Sequence, residues 1–274
     1  MSGSADPISQ YYGHPGLGAT ILAALERAGK DIERLTRDDL APFEEFHIRG
    51  RAATRELAAA AGLREGMAVL DVGSGIGGPA RTLAAEFGCQ VTGLDLTEEY
   101  CRAAEMLTAR VGLGDKVTVR HGNALEMPFD DQTFDQVWMQ HTWMNIENKE
   151  RLFGEIRRLL RPGGRLALYE IFAGSVAPPH FPVPWADDPA ISFLLPPEEA
   201  RRLLGRAGFH ELEWNDLTQP SMELFRQLRA AAGQGGPPPL GLHLIIDDFA
   251  EKAANVLRNL EEDRIVVAQA VYER

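Results

Sequence analysis

A glycine-rich loop followed by an acidic residue is the part of this sequence best suited to chemistry. Gly73, Gly75 and Gly78 satisfy the pattern G-x-G-x-x-G, and Asp95 stands at the end of the next apolar run. Glycine lets a backbone approach a ligand closely, and a carboxylate can accept hydrogen bonds from both vicinal hydroxyls of a ribose. The pattern therefore predicts a nucleoside-cofactor site. Its first predicted members are Gly73, Ser74, Gly75, Asp95 and Leu96.

Asp71 indicates which nucleoside is favoured. It lies where the preceding apolar run meets the loop, close to the position that the pyrophosphate of a dinucleotide must occupy. A carboxylate there repels a pyrophosphate but attracts S-adenosylmethionine, which has no phosphate and carries an ammonium and a sulfonium group. The alternative is that Asp71 and Asp95 only cap the turn and the helix that follow them. We expect S-adenosylmethionine as the cofactor, with Asp71 in its site.

The loop requires a strand before it and a helix after it, and the apolar pattern predicts both. Residues 67–72 are expected as a buried strand and residues 79–87 as a helix, with Pro79 suited to the first turn. Gly163 and Gly164 are expected to stop a later helix. The alternation predicts an α/β fold with a parallel sheet covered by helices. Further strands are expected at residues 90–94, 117–121, 134–139, 165–172, 211–217 and 264–272, and further helices at 98–111, 149–160 and 197–207.

Three regions lie outside this alternation. Residues 1–60 have helical apolar spacing and are expected to form a cap or lid on a main domain of residues 61–274. Residues 173–196 make a long, proline-rich connection with the exposed-looking string 182–186, and its aromatic residues Trp185 and Phe193 are interpreted as apolar walls for the substrate or as a subunit contact in a homo-oligomer. A helical insertion is expected at about residues 219–262, with a Gly/Pro break at residues 233–239.

Composition restricts the class of partner. Lys and Arg number 28 against 40 Asp and Glu, and the net charge of −12 disfavours nucleic acid and anionic membrane surfaces. Cys89 and Cys101 have neither zinc-ligand spacing nor a disulfide framework, so no metal site is expected. No signal-peptide pattern is seen at the start, and no apolar run approaches the roughly 20 residues that span a bilayer. We expect a cytoplasmic protein that acts on a small molecule.

Taken with further motifs, the loop resembles that of class I S-adenosylmethionine-dependent methyltransferases. The first motif of that class is an acidic residue followed by alternating glycines, which residues 71–77 match. Residues 122–124 resemble the loop near adenine, residues 128–135 the segment leading into the fourth strand, and residues 159–164 the turn before the fifth. The similarity covers about residues 61–171 and is greatest to the branch of sarcosine and dimethylglycine N-methyltransferases and ubiquinone-biosynthesis methyltransferases. It implies a Rossmann-like fold with a mostly parallel, seven-stranded sheet whose last strand is antiparallel.

The resemblance also implies contacts with the cofactor. In this class the end of the fourth strand lies beside the methionine part of the cofactor, which implies Gln140 and His141 here. Asn123, where the class usually has aspartate, and Ala124 are implied near adenine.

Related N-methyltransferases place N-terminal tyrosines over the cofactor, which the pair Tyr11-Tyr12 resembles. Arg49 or Gly50 is implied at the methionine carboxylate. The alternative for the two tyrosines is a disordered tail.

Methyl transfer from a sulfonium is an in-line displacement, so the protein mainly aligns the reactants and excludes water. A base helps when the acceptor is a protonated amine or a phenol, and His141 is the predicted catalytic residue, with His47 and Glu170 as other candidates. The alternative for His141 is a structural core histidine. We expect transfer of a methyl group to a small-molecule acceptor, for which an amine is one option. The competing hypotheses are an NAD(P)-dependent oxidoreductase with the same glycine pattern and a non-catalytic module that binds S-adenosylmethionine.

Overall fold

The computed structural model of the protein describes residues 7–232 and 238–274. The first six residues of the predicted lid and most of the predicted Gly/Pro break lie outside the described residues. The helices are α1 (Pro7–Tyr11), α2 (Leu17–Arg27), α3 (Arg37–Leu40), α4 (Gly50–Ala61), α5 (Gly78–Phe87), α6 (Glu98–Arg110), α7 (Lys149–Leu159), α8 (Pro197–Arg206), α9 (Thr218–Ala232) and α10 (Phe249–Glu261). The strands are β1 (Ala68–Val72), β2 (Gln90–Asp95), β3 (Val117–His121), β4 (Phe134–Gln140), β5 (Leu160–Ala173), β6 (His210–Asp216) and β7 (Ile265–Glu273).

The seven strands form one sheet in the order β3-β2-β1-β4-β5-β7-β6. The first five strands in this order are parallel, and β7 pairs antiparallel with both β5 and β6. The predicted α/β fold with an antiparallel last strand is therefore confirmed. The strand order reverses direction beside β1, so the connections after β1 and β4 diverge and leave a crevice at the carboxyl ends of these strands.

The apolar run of β1 explains why this strand lies in the middle of the sheet. Val69, Leu70 and Val72 are fully buried, because helices cover both faces of the parallel part. Helix α5 starts directly after the glycine loop, with Gly77 in the left-handed region at φ 82° and Pro79 in the first turn. The loop is thus fixed between a buried strand and a buried helix.

Helix α7 ends earlier than its glycines suggest. Its last residue is Leu159, since Leu160 already has an extended backbone with φ −70° and ψ 141° and starts β5. The expectation that Gly163 and Gly164 stop the helix was wrong. Gly163, at φ 74°, instead shapes the backbone within the residues assigned to β5.

The N-terminal helices pack on the sheet domain through two different cores. Helix α2 belongs to a separate apolar cluster with α6, whereas α4 contributes Ala53, Leu57 and Ala58 to the main core. A buried ion pair between Arg81 Nη2 and Glu44 Oε2, 3.0 Å apart and with both side chains fully buried, ties the segment before α4 to α5. The division into a cap of residues 1–60 and a domain of residues 61–274 stays a prediction.

The connection between β5 and α8 is folded inward. Val183 and Trp185 are 0% and 2% exposed, so the expectation that the string 182–186 lies on the surface was wrong. The Trp185 indole N–H donates to Ser192 Oγ at 3.0 Å, and its carbonyl accepts from Asn145 Nδ2 at 2.8 Å. Trp185 is therefore not available as an exposed subunit contact. Among the described residues, no helix is long and apolar enough to cross a membrane.

Candidate active site

A cavity of about 770 Å³ opens at the carboxyl ends of β1, β2 and β4. Its position is the crevice that the strand order creates. Two predicted site residues, Asp71 and Tyr11, do not line it. The predicted residues that do line it are Arg49, Gly73, Ser74, Gly75, Asp95, Leu96, Asn123, Ala124, Gln140 and His141.

The glycine loop forms the floor of the cavity and has little room for side chains. A Cβ atom on Gly73 would lie 2.3 Å from the Thr142 side chain, and one on Gly75 would lie 3.3 Å from the Phe46 ring. Both glycines also have positive φ angles, of 74° and 53°. The loop conformation therefore depends on these glycines.

Asp95 holds the loop against β2. Its Oδ2 accepts a hydrogen bond from Gly75 N–H at 2.8 Å, and its Oδ1 accepts one from Thr97 N–H at 2.8 Å. Burial raises the pKa of Asp95, and the two backbone N–H groups oppose that rise. Each carboxylate oxygen keeps a further lone pair on the cavity side, so Asp95 can still accept hydrogen bonds from a ligand hydroxyl.

Asp71 lies beneath the loop rather than in the cavity. It is 1% exposed, and its Oδ2 has no hydrogen-bond partner. Burial, together with the nearby charges of Asp95 and Glu45, raises the pKa of Asp71 to about 8. Asp71 does not line the cavity, so its predicted contact with a cofactor, directly or through water, and the alternative of a cap on the following turn both stay predictions.

The turn after β4 is clamped by a buried carboxyl group. His141 has a left-handed backbone with φ 52°, and its N–H donates to the Tyr169 carbonyl at 2.9 Å. The Thr142 and Trp143 N–H groups donate to Glu170 at 3.0–3.3 Å. Glu170 is fully buried and does not line the cavity, so it positions this turn instead of reaching a ligand.

Gln140 presents a hydrogen-bond donor to the cavity. Its Oε1 accepts from Trp138 Nε1 at 2.7 Å and from Thr54 Oγ1 at 3.1 Å. The amide nitrogen Nε2 is buried and has no partner. Because a buried, unpaired polar group is costly, this nitrogen is a suitable contact for an oxygen of a ligand.

His141 differs from the other two candidate bases. Its ring stacks on Tyr169 at a centroid distance of 5.1 Å, and its Nε2 has no hydrogen-bond partner. His47, by contrast, already contacts Glu45 Oε2 at 3.0 Å and Thr54 Oγ1 at 3.1 Å. Burial, with a smaller effect from His47, holds the pKa of His141 well below its usual value, so its imidazole is neutral at pH 7. The catalytic role of His141 and the alternative of a structural core histidine both stay predictions.

The two N-terminal tyrosines have different positions. Tyr12 lines the cavity, and its hydroxyl donates to Asn145 Oδ1 at 2.9 Å. The Tyr11 hydroxyl instead donates to the Val183 carbonyl at 3.1 Å and accepts from Lys252 Nζ at 2.9 Å. Of the two tyrosines predicted as a cofactor contact, Tyr12 lies at the cavity and Tyr11 does not, and the contact itself stays a prediction. The described part of this segment forms α1 and is not an unstructured tail.

Arg49 lines the cavity but already has a carboxylate partner. Its two terminal nitrogens donate to Glu56 at 2.8 Å and 2.6 Å in a bidentate pair. A ligand carboxylate at Arg49 would have to share or displace Glu56.

The sequence analysis did not identify most of the remaining cavity wall. Phe46 and Tyr100 form an edge-to-face pair, 5.6 Å between centroids, beside the glycine loop. Leu224, Phe225 and Leu228 line the cavity from α9. The apolar spacing of these α9 residues on one helix face is the signal that could have identified them.

Residues 70–168 match the family model described as a methyltransferase domain. The match includes the glycine loop, Asp95, Asn123 and the β4 turn with His141, which are the parts that surround the inner end of the cavity.

Two relatives match part of this chain. A sterol 24-C-methyltransferase from Gibberella zeae is 40% identical over 109 residues, which are 40% of this chain and 29% of the relative. A glycine/sarcosine/dimethylglycine N-methyltransferase from Actinopolyspora halophila is 29% identical over 178 residues, which are 65% of this chain and 32% of the relative. The matched region thus spans about a third of the length of these two relatives.

Structural similarity extends over the whole chain. The crystal structure of the [4+2]-cyclase SpnF has a TM-score of 0.71 and 23% identity, and the match covers 100% of this chain and 99% of that one. At this identity the likeness shows the fold alone. The predicted resemblance to Rossmann-like methyltransferases is confirmed for the domain and the fold.

The contacts of Asp95 predict a strong effect of Asp95→Ala on S-adenosylhomocysteine binding. The variant loses a charge-assisted acceptor for ligand hydroxyls, so calorimetry should show a Kd at least tenfold higher. Asp115→Ala, which removes an exposed carboxylate outside the cavity, is the control and should bind like the wild type. An unchanged Kd in a folded Asp95→Ala protein would sink the assignment of Asp95.

The raised pKa of Asp71 predicts a pH-dependent effect of Asp71→Asn on stability. Between pH 4 and 8 the folded carboxyl keeps a proton that the unfolded chain has released, because the pKa is about 8 in the fold and about 4 in a peptide. The Asp71 contribution to the free energy of unfolding therefore falls as pH rises through this window, by up to about 1.4 kcal/mol per pH unit. Asparagine does not titrate, so the variant should gain stability relative to the wild type from pH 5 to 8.

Urea unfolding at pH 5, 6.5 and 8 measures this difference, with the exposed Asp115→Asn as control. A stability difference between Asp71→Asn and the wild type that stays constant over the three pH values would contradict a pKa near 8.

Proposed function

We propose that the protein transfers a methyl group from S-adenosylmethionine to a small-molecule acceptor. One observation carries the proposal: the Gly75 N–H, just before the start of α5, is already bound by the carboxylate of Asp95 at 2.8 Å. A dinucleotide needs such N–H groups for its pyrophosphate. A cationic cofactor without phosphate does not, and it gains from carboxylates at this edge.

The residues around the inner end of the cavity fit S-adenosylmethionine. Asp95 would accept from the ribose hydroxyls, and Asn123 and Ala124 would lie at the adenine. The unpaired Gln140 Nε2 would donate to the methionine carboxylate. The ring of Tyr12, which lines the cavity beside Tyr100, is suited to the sulfonium by its electron-rich face.

S-adenosylmethionine supplies an activated methyl group, so the protein does not need to form a covalent bond to the substrate. The buried walls exclude water, and Gln140 and the β4 turn hold their geometry through the contacts with Thr54, Trp138 and Glu170. His141 is the base that accepts the proton of the acceptor, because its imidazole is neutral and has an unpaired nitrogen.

The two competing hypotheses have weaker support. An NAD(P)-dependent oxidoreductase would have to place a pyrophosphate where Asp95 already binds the N–H of the loop residue Gly75. A non-catalytic module would not require an unpaired, neutral histidine at the cavity. The sterol and N-methyl relatives support a small-molecule acceptor. We further propose a cytoplasmic location, which rests on the sequence alone.

A labelling experiment tests the reaction directly. The protein is incubated with methyl-labelled S-adenosylmethionine and a fractionated metabolite extract, and labelled products are identified by mass. The proposal expects at least one labelled small molecule that is absent when the protein is heat-inactivated. Absence of any labelled product, together with no binding of S-adenosylmethionine, would rule the proposal out.

His141→Asn tests the base. Asparagine tolerates the left-handed backbone at this position but cannot accept a proton at neutral pH, so kcat with the identified acceptor should fall about 100-fold or more while the Kd for S-adenosylhomocysteine stays within about twofold. His210→Asn, which changes an exposed histidine on β6, should leave kcat unchanged. If His141→Asn turned over at the wild-type rate, His141 would not be the base and its role would be structural.

A further inference from the structure

The outer half of the cavity is lined without exception by apolar residues. Twelve lining residues come from the chain between Pro184 and Val256, that is, from the connection before α8, from α9, and from the segment that leads into α10, and all twelve are apolar. The polar and charged lining residues among the described ones come from the chain before Pro184. The cavity therefore has a polar inner end at the glycine loop and β4, and an apolar outer compartment.

The backbone of this compartment also has few free hydrogen-bonding groups. The carbonyls of Trp185 and Ile191 both accept from Asn145 Nδ2 at 2.8 Å. The Phe193 carbonyl accepts from Lys149 Nζ at 2.7 Å, and the Pro184 carbonyl accepts from the Tyr11 hydroxyl at 3.2 Å. A polar or charged part of a ligand would find no ready partner among these groups, and an unpaired buried charge costs several kcal/mol.

The mouth of the compartment is apolar too. Leu228 lines the cavity and is nevertheless 50% exposed, on the same face of α9 as Leu224 and Phe225. A single exposed leucine is ordinary in a folded protein. Here it continues an apolar lining from the interior to the solvent, which is the surface that a hydrocarbon molecule would follow on entering.

The inner end of the cavity, in contrast, presents polar groups that have no hydrogen-bond partner. Gln140 Nε2 and His141 Nε2 are buried and unpaired. A neutral hydroxyl group can pair with a neutral imidazole, whereas an ammonium needs a negative partner. Four carboxylates line the cavity. Glu44 is already engaged by Arg81 and Arg51, Glu45 by His47 and Thr54, and Asp95 by the N–H groups of Gly75 and Thr97, whereas Glu147 is exposed to solvent.

We propose that the acceptor is a neutral molecule with a largely hydrocarbon body and a hydroxyl group, the body in the outer compartment and the hydroxyl at His141. This inference rests on the proposed methyl transfer and specifies its acceptor. In the step, the acceptor O–H proton passes to His141, and the oxygen forms a bond to the methyl carbon. The carbon–sulfur bond breaks with its electron pair left on sulfur, which yields S-adenosylhomocysteine and a methyl ether.

A homologous series of ligands tests the acceptor class. The protein is first titrated with S-adenosylhomocysteine and then, when saturated, with 4-ethyl-, 4-butyl- and 4-hexylphenol, with the 4-alkylbenzylamines of equal chain length, and with sarcosine. Burial of each added CH2 group should lower the Kd of the phenols about fourfold until the compartment is filled. Each phenol should bind at least tenfold more tightly than the matched benzylamine, which is charged at neutral pH. Sarcosine should show no measurable binding.

Two surface variants test whether the phenols bind in this compartment. Leu228→Glu places a charge at the mouth of the compartment and should raise the Kd of 4-hexylphenol at least fivefold. Leu212→Glu is the matched control, since Leu212 is also 50% exposed but lies on β6 outside the cavity, and it should leave this Kd unchanged.

The outcomes separate the two proposals. If S-adenosylhomocysteine binds but the phenols show no dependence on chain length, or if sarcosine or the benzylamines bind as well as the phenols, the acceptor class is wrong and the proposed methyl transfer stands. If S-adenosylhomocysteine does not bind, both are overturned. Equal effects of Leu228→Glu and Leu212→Glu would show that the phenols bind elsewhere and would overturn the assigned compartment.

Discussion

The hydrogen bond from Gly75 N–H to the Asp95 carboxylate joins the glycine loop to β2, and the rest of the site depends on it. The bond fixes the loop conformation that Gly73 and Gly75 make sterically accessible. With the loop held in this way, the floor of the cavity lies between β1 and β2, and Asp95 keeps one face toward the ligand. The same carboxylate thus holds the loop and, in the proposed function, accepts hydrogen bonds from the ribose hydroxyls.

Three carboxyl groups are buried at the carboxyl edge of the sheet. They belong to Asp71, Asp95 and Glu170, and burial raises the pKa of each. Backbone N–H groups donate to Asp95 and Glu170, whereas Asp71 and Glu170, with pKa values raised to about 8, keep their protons at pH 7. Asp95, which lines the cavity, is therefore the carboxylate at this edge that favours a positively charged cofactor, while the apolar outer compartment favours a neutral acceptor.

Short-range patterns predicted the fold and most of the inner site, because the loop, Asp95 and the end of β4 depend on neighbouring strands and helices. Contacts between distant residues were not predictable. Tyr11 turns away from the cavity because Lys252, 241 residues further along the chain, binds its hydroxyl. Trp185 is buried because Asn145 and Ser192 satisfy its polar groups. The apolar compartment likewise depends on the packing of α9 and α10 on each other and on β7, which no local pattern reveals.

Calorimetric titration of the unmodified protein with S-adenosylmethionine and, separately, with NAD⁺ at pH 7 tests the central claim most directly. If the carboxylates at the loop select a cationic cofactor without phosphate, S-adenosylmethionine will bind at one site per chain and NAD⁺ will give no heat of binding. Binding of NAD⁺ without binding of S-adenosylmethionine would contradict the account.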